Sequence, residues 1–332
     1  MIAAFRCPAP QRAGRIGKAV QFRHVPNAVR RMTQTQCHWR MPGRRLGQMN
    51  PSQKTGLKNK QAARPGSPII LMQGEYMNTA QTQATQDIHA FTEQARDAIY
   101  QAIFSRRDVR GQFLPTPVPD AVLSRILTAA HYAPSVGFMQ PWNFVVVQSA
   151  AVKRRLHDAF ALAHAEAADM FDGEKRSTYQ RLKLEGILES PIGICITCDR
   201  ERTGPVVIGR THMKTMDLYS SVCAVQNLWL AARAEGLGVG WVSIFNQSAL
   251  QDALAIPKRI TPIAYLCVGY VSHFYAKPEL ESAGWLPRLP IEELVYFDQW
   301  GRHDEQQALI GHLRRDQAEA QKTANLALMQ SR

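Results

Sequence analysis

Helical and strand patterns alternate along the chain between residues 87 and 300. Apolar side chains recur at helical spacing over residues 87–105, and residues 120–131 predict a second helix with Asp120 as its N-cap. Short apolar runs rich in β-branched residues predict strands, because branched side chains fit a pleated surface. These runs are residues 144–147, 191–198, 237–245 (a turn that enters its strand) and 260–271. The alternation predicts a layered α/β/α body with one central sheet.

Other segments depart from these simple patterns. Residues 151–189 have a helical pattern with a charged middle that is interrupted at Asp172 and Gly173, which predicts a two-part lid. Residues 216–235 are apolar nearly all round, as in a helix between layers or at a subunit interface. Residues 206–208 are predicted to form a short edge strand. The polar segment after Trp300 is predicted to be a partly helical, loosely attached tail.

The loop that leads into the first strand carries candidate ligand-binding residues. Pro134 and Ser135 favour a turn, and Gly137 leaves the backbone open to close approach. The loop is either an ordinary connector or a place where a ligand meets backbone amides. An arginine cluster before it and a glycine-rich turn after it favour the second interpretation.

The positive charge of the chain belongs to its N-terminal part. The 332 residues are 45% hydrophobic and 20% charged, which is typical of a globular protein, and no apolar run is long enough to predict a membrane span. The formal net charge is +13, and residues 1–76 hold 14 Lys and Arg against one acidic residue. The remainder is therefore neutral, which argues against nucleic acid or a membrane as a partner of the folded body.

Residues 1–80 are predicted to form a basic, disordered extension, because they show no sustained period and are rich in Arg, Gln, Gly and Pro. Three explanations remain open: an arm that binds nucleic acid, a targeting peptide, or translated sequence upstream of the true start. Met77, followed by a polar leader and a helix, favours the third explanation.

The six cysteines do not indicate a disulfide framework or a metal site. Cys195 and Cys198 form a single CxxC within an apolar strand, and a zinc site would need a second pair. We interpret both as small core residues and expect no metal. A reducing, cytoplasmic compartment fits this usage best.

Three arginines close to one another form a candidate anion site. Arg106, Arg107 and Arg110 follow the first predicted helix, and their planar guanidinium groups suit phosphate oxygens. A solvated basic patch is the simpler interpretation, but Asp108 in their midst is unusual for either. A carboxylate there could accept a proton or orient a ligand group.

The glycine-rich segment at residues 236–240 is not a dinucleotide fingerprint, because it leads into a strand instead of a helix. We expect its glycines to cap the preceding helix and to let the backbone pass close to a flat ligand. Ser243 is predicted at the start of the strand. No Gly-x-Ser-x-Gly elbow surrounds it, which argues against acyl transfer.

Three motifs, in order, carry a resemblance to a known family. They are RRDVR at residues 106–110, PSVGFMQPWNF at residues 134–144 and GVGWVSIF at residues 238–245. The chain resembles the FMN-binding nitroreductase superfamily, and within it the oxygen-using branch of 5,6-dimethylbenzimidazole synthases. The resemblance predicts a domain at residues 85–300 and leaves residues 301–332 as a polar C-terminal tail.

The resemblance implies an α+β fold: a three-layer α/β/α sandwich with a central mixed, mainly antiparallel sheet. It also implies a homodimer with FMN at the subunit interface, where Ser135, Val136 and Phe138 come from the partner subunit. Met170 would cover the site from the lid. The implied FMN-binding residues are Arg106, Arg107, Asp108, Val109, Arg110, Ser135, Val136, Gly137, Phe138, Met170, Gly240, Trp241, Ser243 and Arg288.

The reaction implied by the resemblance is the fragmentation of reduced FMN by dioxygen to 5,6-dimethylbenzimidazole, the lower ligand of cobalamin, and erythrose 4-phosphate. Asp108 and Ser243 are the implied catalytic residues, NAD(P)H is the indirect electron source, and a flavin reductase is a possible partner. The alternative on the same scaffold is an NAD(P)H-dependent nitroreductase or flavin reductase. A flavin-binding or nucleic-acid-associated protein that acts through its basic arm is a third, different class.

Overall fold

A computed structural model describes residues 89–329, with side chains up to residue 325. The predicted extension at residues 1–80, the start at Met77 and the first two residues of the predicted first helix lie outside the described residues. Helices and strands alternate over the described part, as the hydrophobic pattern indicates.

The described residues form the following helices and strands. The helices are α1 (Glu93–Ser105), α2 (Asp120–His131), α3 (Ala150–Ala168), α4 (Gly173–Arg181), α5 (Met216–Ala234), α6 (Gln247–Ala253), α7 (Glu279–Ser282) and α8 (Ala308–Met329). The strands are β1 (Trp142–Val147), β2 (Ile192–Cys198), β3 (Leu237–Val242) and β4 (Thr261–Tyr270). Two 3₁₀ turns lie at Val136–Phe138 and Ile291–Leu294.

The four strands form one antiparallel sheet in the order β1-β2-β4-β3. Ile194 pairs with Leu266 at the centre, and a register shift follows Ile196 in β2. One parallel bridge joins Asp108 to Val239 and makes the sheet locally mixed at its β3 edge. That bridge places the arginine cluster beside β3.

Alternate residues of the strands enter two separate cores. Ile194, Leu266 and Val239 pack with α2 and α5 on one face. Cys195, Tyr265 and Val242 pack with α3 and α6 on the other face. Because side chains alternate across a strand, both faces are apolar and both are covered by helices. The predicted three-layer α/β/α arrangement is therefore confirmed.

Several local predictions differ from the structure. Pro119 is the N-cap of α2 and Asp120 is its first helical residue. Residues 206–208 form a turn region instead of an edge strand. The segment 151–189 is helical only to Arg181, with the predicted break at residues 169–172. The edge-strand prediction was wrong because it was based on apolar content, and residues 206–208 pair with no strand among residues 89–329.

The glycine-rich segment also differs from its prediction. Gly236, with φ +78°, follows α5 as expected for a helix-capping glycine. Gly238 and Gly240 instead lie within β3, which begins at Leu237. Ser243 follows the end of this strand, whereas the sequence pattern placed it at the start.

The segment after Trp300 is packed against the body. It forms α8, in which Ile310 and Ala324 are buried. The helix lies against α1 and the second 3₁₀ turn. The prediction of loose attachment was wrong, because the few apolar residues of this polar sequence share one face of a long helix.

Candidate functional site

A cavity of about 700 Å³ opens where the end of α1 meets α7, the segment before the second 3₁₀ turn, and α8. Its polar wall contains five of the residues that the resemblance assigned to FMN, and its other walls are mainly apolar. The polar residues are Arg106, Arg107, Asp108, Arg110 and Arg288. The apolar ones include Ile103, Phe104, Leu280, Leu289, Ile291, Leu294 and Leu313.

Asp108 is fixed by bonds to both of its carboxylate oxygens. Its Oδ1 accepts a hydrogen bond from the backbone N–H of Trp241 at 2.9 Å. Its Oδ2 pairs with Nη2 of Arg110 at 2.6 Å. The backbone that follows Asp108 is held as well, because the Val109 N–H donates to the carbonyl of Val239 at 3.0 Å. The carboxylate therefore has a defined place at the edge of the sheet.

Gly240 makes this placement possible. A Cβ atom at Gly240 would lie 2.0 Å from the carbonyl oxygen of Val109, a distance that no side chain tolerates. The absent side chain lets the Asp108–Val109 backbone lie directly against β3. The close approach predicted for this glycine is thus made by the chain's own backbone.

The surroundings of Asp108 act on its pKa in opposite directions, and burial has the largest effect. Burial raises the pKa of Asp108 above its ordinary value, and the contacts with Arg110, Trp241 N–H and Arg106 offset only part of this effect. The nearby carboxylate of Glu279 raises the pKa further. A carboxyl group with a raised pKa beside a cavity is suited to hold or transfer a proton.

Arg106 and Arg288 bring two positive charges to the same wall. Arg106 lies over the ring of Trp229, with its Cζ 4.9 Å from the ring centroid. Burial lowers the pKa of Arg106, Asp108 opposes this effect, and the charge of Arg288 lowers the pKa further. An anion between the two guanidinium groups would relieve their repulsion.

Arg107 is bonded to the chain itself. Its guanidinium donates to the carbonyl oxygens of Phe104, Arg106, Tyr275 and Ala276 at 2.6–2.9 Å. The side chain is buried, and burial lowers its pKa. The bonds to Tyr275 and Ala276 tie the end of α1 to the segment that follows β4, so the guanidinium acts here as a structural cross-link.

Arg110 lies between two carboxylates. It pairs with Asp108 and, through Nη1, with Oε2 of Glu279 at 3.0 Å. Neither Glu279 nor Trp229 was identified from the sequence. Their only signals were an acid at the start of a four-residue helix and an aromatic residue in an apolar helix, and neither pattern predicts a site.

The loop that contains Ser135, Val136, Gly137 and Phe138 lies away from this cavity. Val136 N–H donates to Oγ of Ser220 at the start of α5. Gly137 has a φ of +53°, and a Cβ there would lie 2.6 Å from Cγ1 of Val207. The loop therefore packs tightly against residues 207–208, and Phe138 projects outward with 82% of its surface exposed.

The other predicted site residues also lie outside the cavity wall. Met170, between α3 and α4, is 80% exposed. Ser243 is exposed two residues beyond Trp241, and Val109 is buried in the core beneath α3. A single chain thus brings together the arginines, Asp108, Gly240 and Trp241, but not Ser135, Phe138, Met170 or Ser243.

The described residues contain no group of three or more His, Cys, Asp or Glu side chains that could hold a metal ion. Cys195 and Cys198 are buried in β2, as interpreted from the sequence. Burial raises the pKa of the Cys195 thiol to about 12, so it is not a reactive thiolate. Among the same residues, no helix combines the length and hydrophobicity of a membrane span.

The fold and the sequence together define the class of this protein. Residues 103–270 match the model of the Nitroreductase family. The chain belongs to this family.

Its relatives include named enzymes. It is 40% identical to the 5,6-dimethylbenzimidazole synthase of Rhodospirillum rubrum over 58% of this chain and 90% of that protein. It is 36% identical to the 5,6-dimethylbenzimidazole synthase of Rhodobacter capsulatus over 61% of this chain and 97% of that protein. Both the family and the branch indicated by the sequence motifs are confirmed, as is the expectation of an oxidoreductase.

Solved structures similar to this chain include that of iodotyrosine deiodinase bound to FMN and 3-iodo-L-tyrosine. That protein is 20% identical over 61% of this chain and 98% of its own length, with a TM-score of 0.48.

Proposed function

We propose that this chain converts reduced FMN and dioxygen to 5,6-dimethylbenzimidazole and erythrose 4-phosphate. The observation that carries the proposal is the carboxylate of Asp108, held by Trp241 and Arg110 at the wall of an arginine-lined cavity. The two synthase relatives, matched over 90% or more of their length, support the same reaction.

The cavity fits a molecule like FMN in its chemistry. Its arginines suit a phosphate, and its apolar walls suit a flat hydrophobic ring. Its volume of about 700 Å³ lies within the range of small-molecule sites. Reduced FMN supplies the electrons that react with dioxygen and is the molecule that is broken down.

The arginines divide into binding and supporting residues under this proposal. Arg106 and Arg288 hold the phosphate, because their guanidinium groups face the cavity and repel each other. Arg107 supports them by cross-linking the end of α1 to residues 275 and 276. Arg110 orients Asp108 and adds positive charge beside it.

Asp108 holds or transfers a proton, for which its raised pKa is suited. Ser243 lies outside the cavity wall of the single chain, and we assign it the second role, in which its hydroxyl would direct a reacting oxygen toward the ring. Gly240 and Trp241 provide backbone along the same strand. The electrons come indirectly from NAD(P)H through a separate flavin reductase.

The remaining predicted residues reach the site through a homodimer. Phe138, Val206 and Ile208 form one surface patch and are 82%, 78% and 86% exposed. Helix α1 is also exposed along most of its length despite its apolar residues. Apolar surface of this kind marks an interaction site. We assign it to a second copy, whose Ser135, Val136 and Phe138 would complete the cofactor site.

The decisive experiment is aerobic incubation of the purified chain with chemically reduced FMN, followed by mass detection of 5,6-dimethylbenzimidazole. The expected result is benzimidazole in air and none under anaerobic conditions. Recovery of intact oxidised FMN with hydrogen peroxide would contradict the proposed reaction. Steady NAD(P)H consumption with intact FMN would instead identify a flavin reductase or nitroreductase.

A further inference from the structure

The C-terminal helix α8 forms part of the cavity wall. Leu313, Gln317 and Ala324 line the cavity from this helix. The helix lies beyond the residues 103–270 matched by the family.

The segment that carries Arg288 has little structure of its own. Arg288 lies between Pro287 and Pro290, which lack backbone N–H donors, and residues 286–290 belong to neither helix nor strand. Arg288 itself is exposed. Its position must therefore be determined by contacts that the rest of the chain makes with this segment.

Gln317 makes two such contacts with one side chain. Its Oε1 accepts a hydrogen bond from the backbone N–H of Ile291 at 2.8 Å. Its Nε2 donates to the carbonyl of Leu289 at 3.2 Å. The amide thus holds the backbone immediately after Arg288, as a backbone partner in a strand would.

A second contact from the same helix face supports this arrangement. Nε of Arg314 pairs with Oε1 of Glu292 at 3.0 Å, three residues before Gln317 on α8. The pair is partly exposed, so it contributes less than the amide clamp. Both contacts hold residues 289–292 against the helix.

We propose that Gln317 is a positioning residue for Arg288, and that α8 is thereby part of the FMN phosphate site. The proposal rests on the proposed function, which places the phosphate at Arg106 and Arg288. Gln317 acts only through the backbone of Leu289 and Ile291. It keeps the guanidinium of Arg288 near that of Arg106 before a ligand binds, which reduces the ordering cost of binding.

The test compares the binding of oxidised FMN with that of riboflavin, which has the same ring and ribityl chain but no phosphate. In Gln317→Leu, FMN should bind about tenfold more weakly, as expected for a weakened contact between a charged group and phosphate. Riboflavin should bind as it does to the unaltered chain. Gln306→Leu is the matched control, because Gln306 is exposed before α8, and it should bind both flavins normally.

A double-mutant cycle with Arg288→Ala completes the test. The double variant should bind FMN no more weakly than Arg288→Ala alone, because Gln317 acts through that arginine. Unchanged FMN affinity in Gln317→Leu, an equal loss for riboflavin, or additive losses in the cycle would each overturn the proposal.

These outcomes are separate from those of the proposed reaction, because oxidised flavin binds without oxygen chemistry. Binding of FMN without benzimidazole formation would overturn only the reaction. Failure of the unaltered chain to bind FMN would overturn both.

Discussion

At the scale of single residues, the contacts and burial of Asp108 indicate a role in proton transfer. In Asp108→Asn, the amide can still accept the Trp241 N–H but cannot transfer the proton of a carboxyl group. We expect benzimidazole formation to fall by about two orders of magnitude or more, with FMN still bound. Product yield and flavin fluorescence measure the two effects separately. Normal yield from this variant would exclude Asp108 from the chemistry.

The same residue predicts a pH dependence of stability. Because burial raises the pKa of Asp108, the folded state binds its proton more tightly than the unfolded state does. The resulting stabilisation is complete below the unfolded pKa and is lost as pH rises through the folded pKa. The unaltered chain should therefore gain thermal stability relative to Asp108→Asn as pH falls from 8 towards about 4. A difference in Tm that is independent of pH would contradict the raised pKa.

Gly240 gives a purely steric prediction. Gly240→Ala forces the Val109 carbonyl away from β3, which should cost about 1–3 kcal/mol in the free energy of unfolding and displace Asp108. Gly111→Ala is the control, because a Cβ at Gly111 has nothing within 4 Å. Denaturant unfolding of both variants measures the difference. Equal stability of the two would show that the strand and the Asp108 segment separate easily.

At the scale of elements, the predicted lid and the segment of Arg288 share an aromatic contact. Trp285 lies 5.4 Å from Phe171 and 6.5 Å from Tyr179, measured between ring centroids. Tyr179 is the buried residue of α4 and also stacks on His164 of α3. A movement of the predicted lid would therefore displace Trp285, three residues before Arg288.

Trp285→Ala should loosen the lid. We expect trypsin to cleave residues 169–182 several-fold faster in this variant, because Lys175 and Arg176 are already exposed and local unfolding of α4 would free their backbone for the protease. Trp300→Ala is the control, since Trp300 is 90% exposed and contacts Tyr296 instead. Identical cleavage rates in the two variants would show that Trp285 does not hold the lid.

Some helices and strands could be predicted from the sequence, and some of their contacts could not. Periodicity identified α1, α2, α5 and all four strands, because alternation of apolar residues reports which faces are buried. It misplaced the glycines of β3 because the backbone segment that passes over Gly240 is distant in sequence. It missed the packing of α8 because long polar side chains obscured a narrow apolar face.

Some residues of the candidate site could likewise be recognised from the sequence, and others could not. RRDVR was recognisable because five adjacent residues carry its chemistry. Glu279 and Gln317 were not, because each acts through one long-range contact that no local pattern records. Nor could sequence reveal that the donors of Arg107 are taken by carbonyl oxygens.

At the scale of the whole molecule, the proposed homodimer predicts a variant that separates assembly from folding. Phe138→Asp would bury a charge at the interface, so we expect mostly monomer with greatly weakened FMN binding. Leu162→Asp is the control, because Leu162 is 60% exposed on α3, in the opposite helical layer. Sedimentation velocity and flavin titration measure both properties. A Phe138→Asp variant that remains dimeric would place the interface elsewhere.

The two carboxylates around Arg110 have a further consequence. With Asp108 on one side and Glu279 on the other, the guanidinium is held in one orientation by internal counter-ions. A phosphate that approached Arg110 would have to compete with Glu279, whereas neither Arg106 nor Arg288 forms an ion pair with a carboxylate in the described part of the chain. Under the proposed function, this arrangement would direct the phosphate to one end of the cavity and leave the other end to the carboxyl group of Asp108.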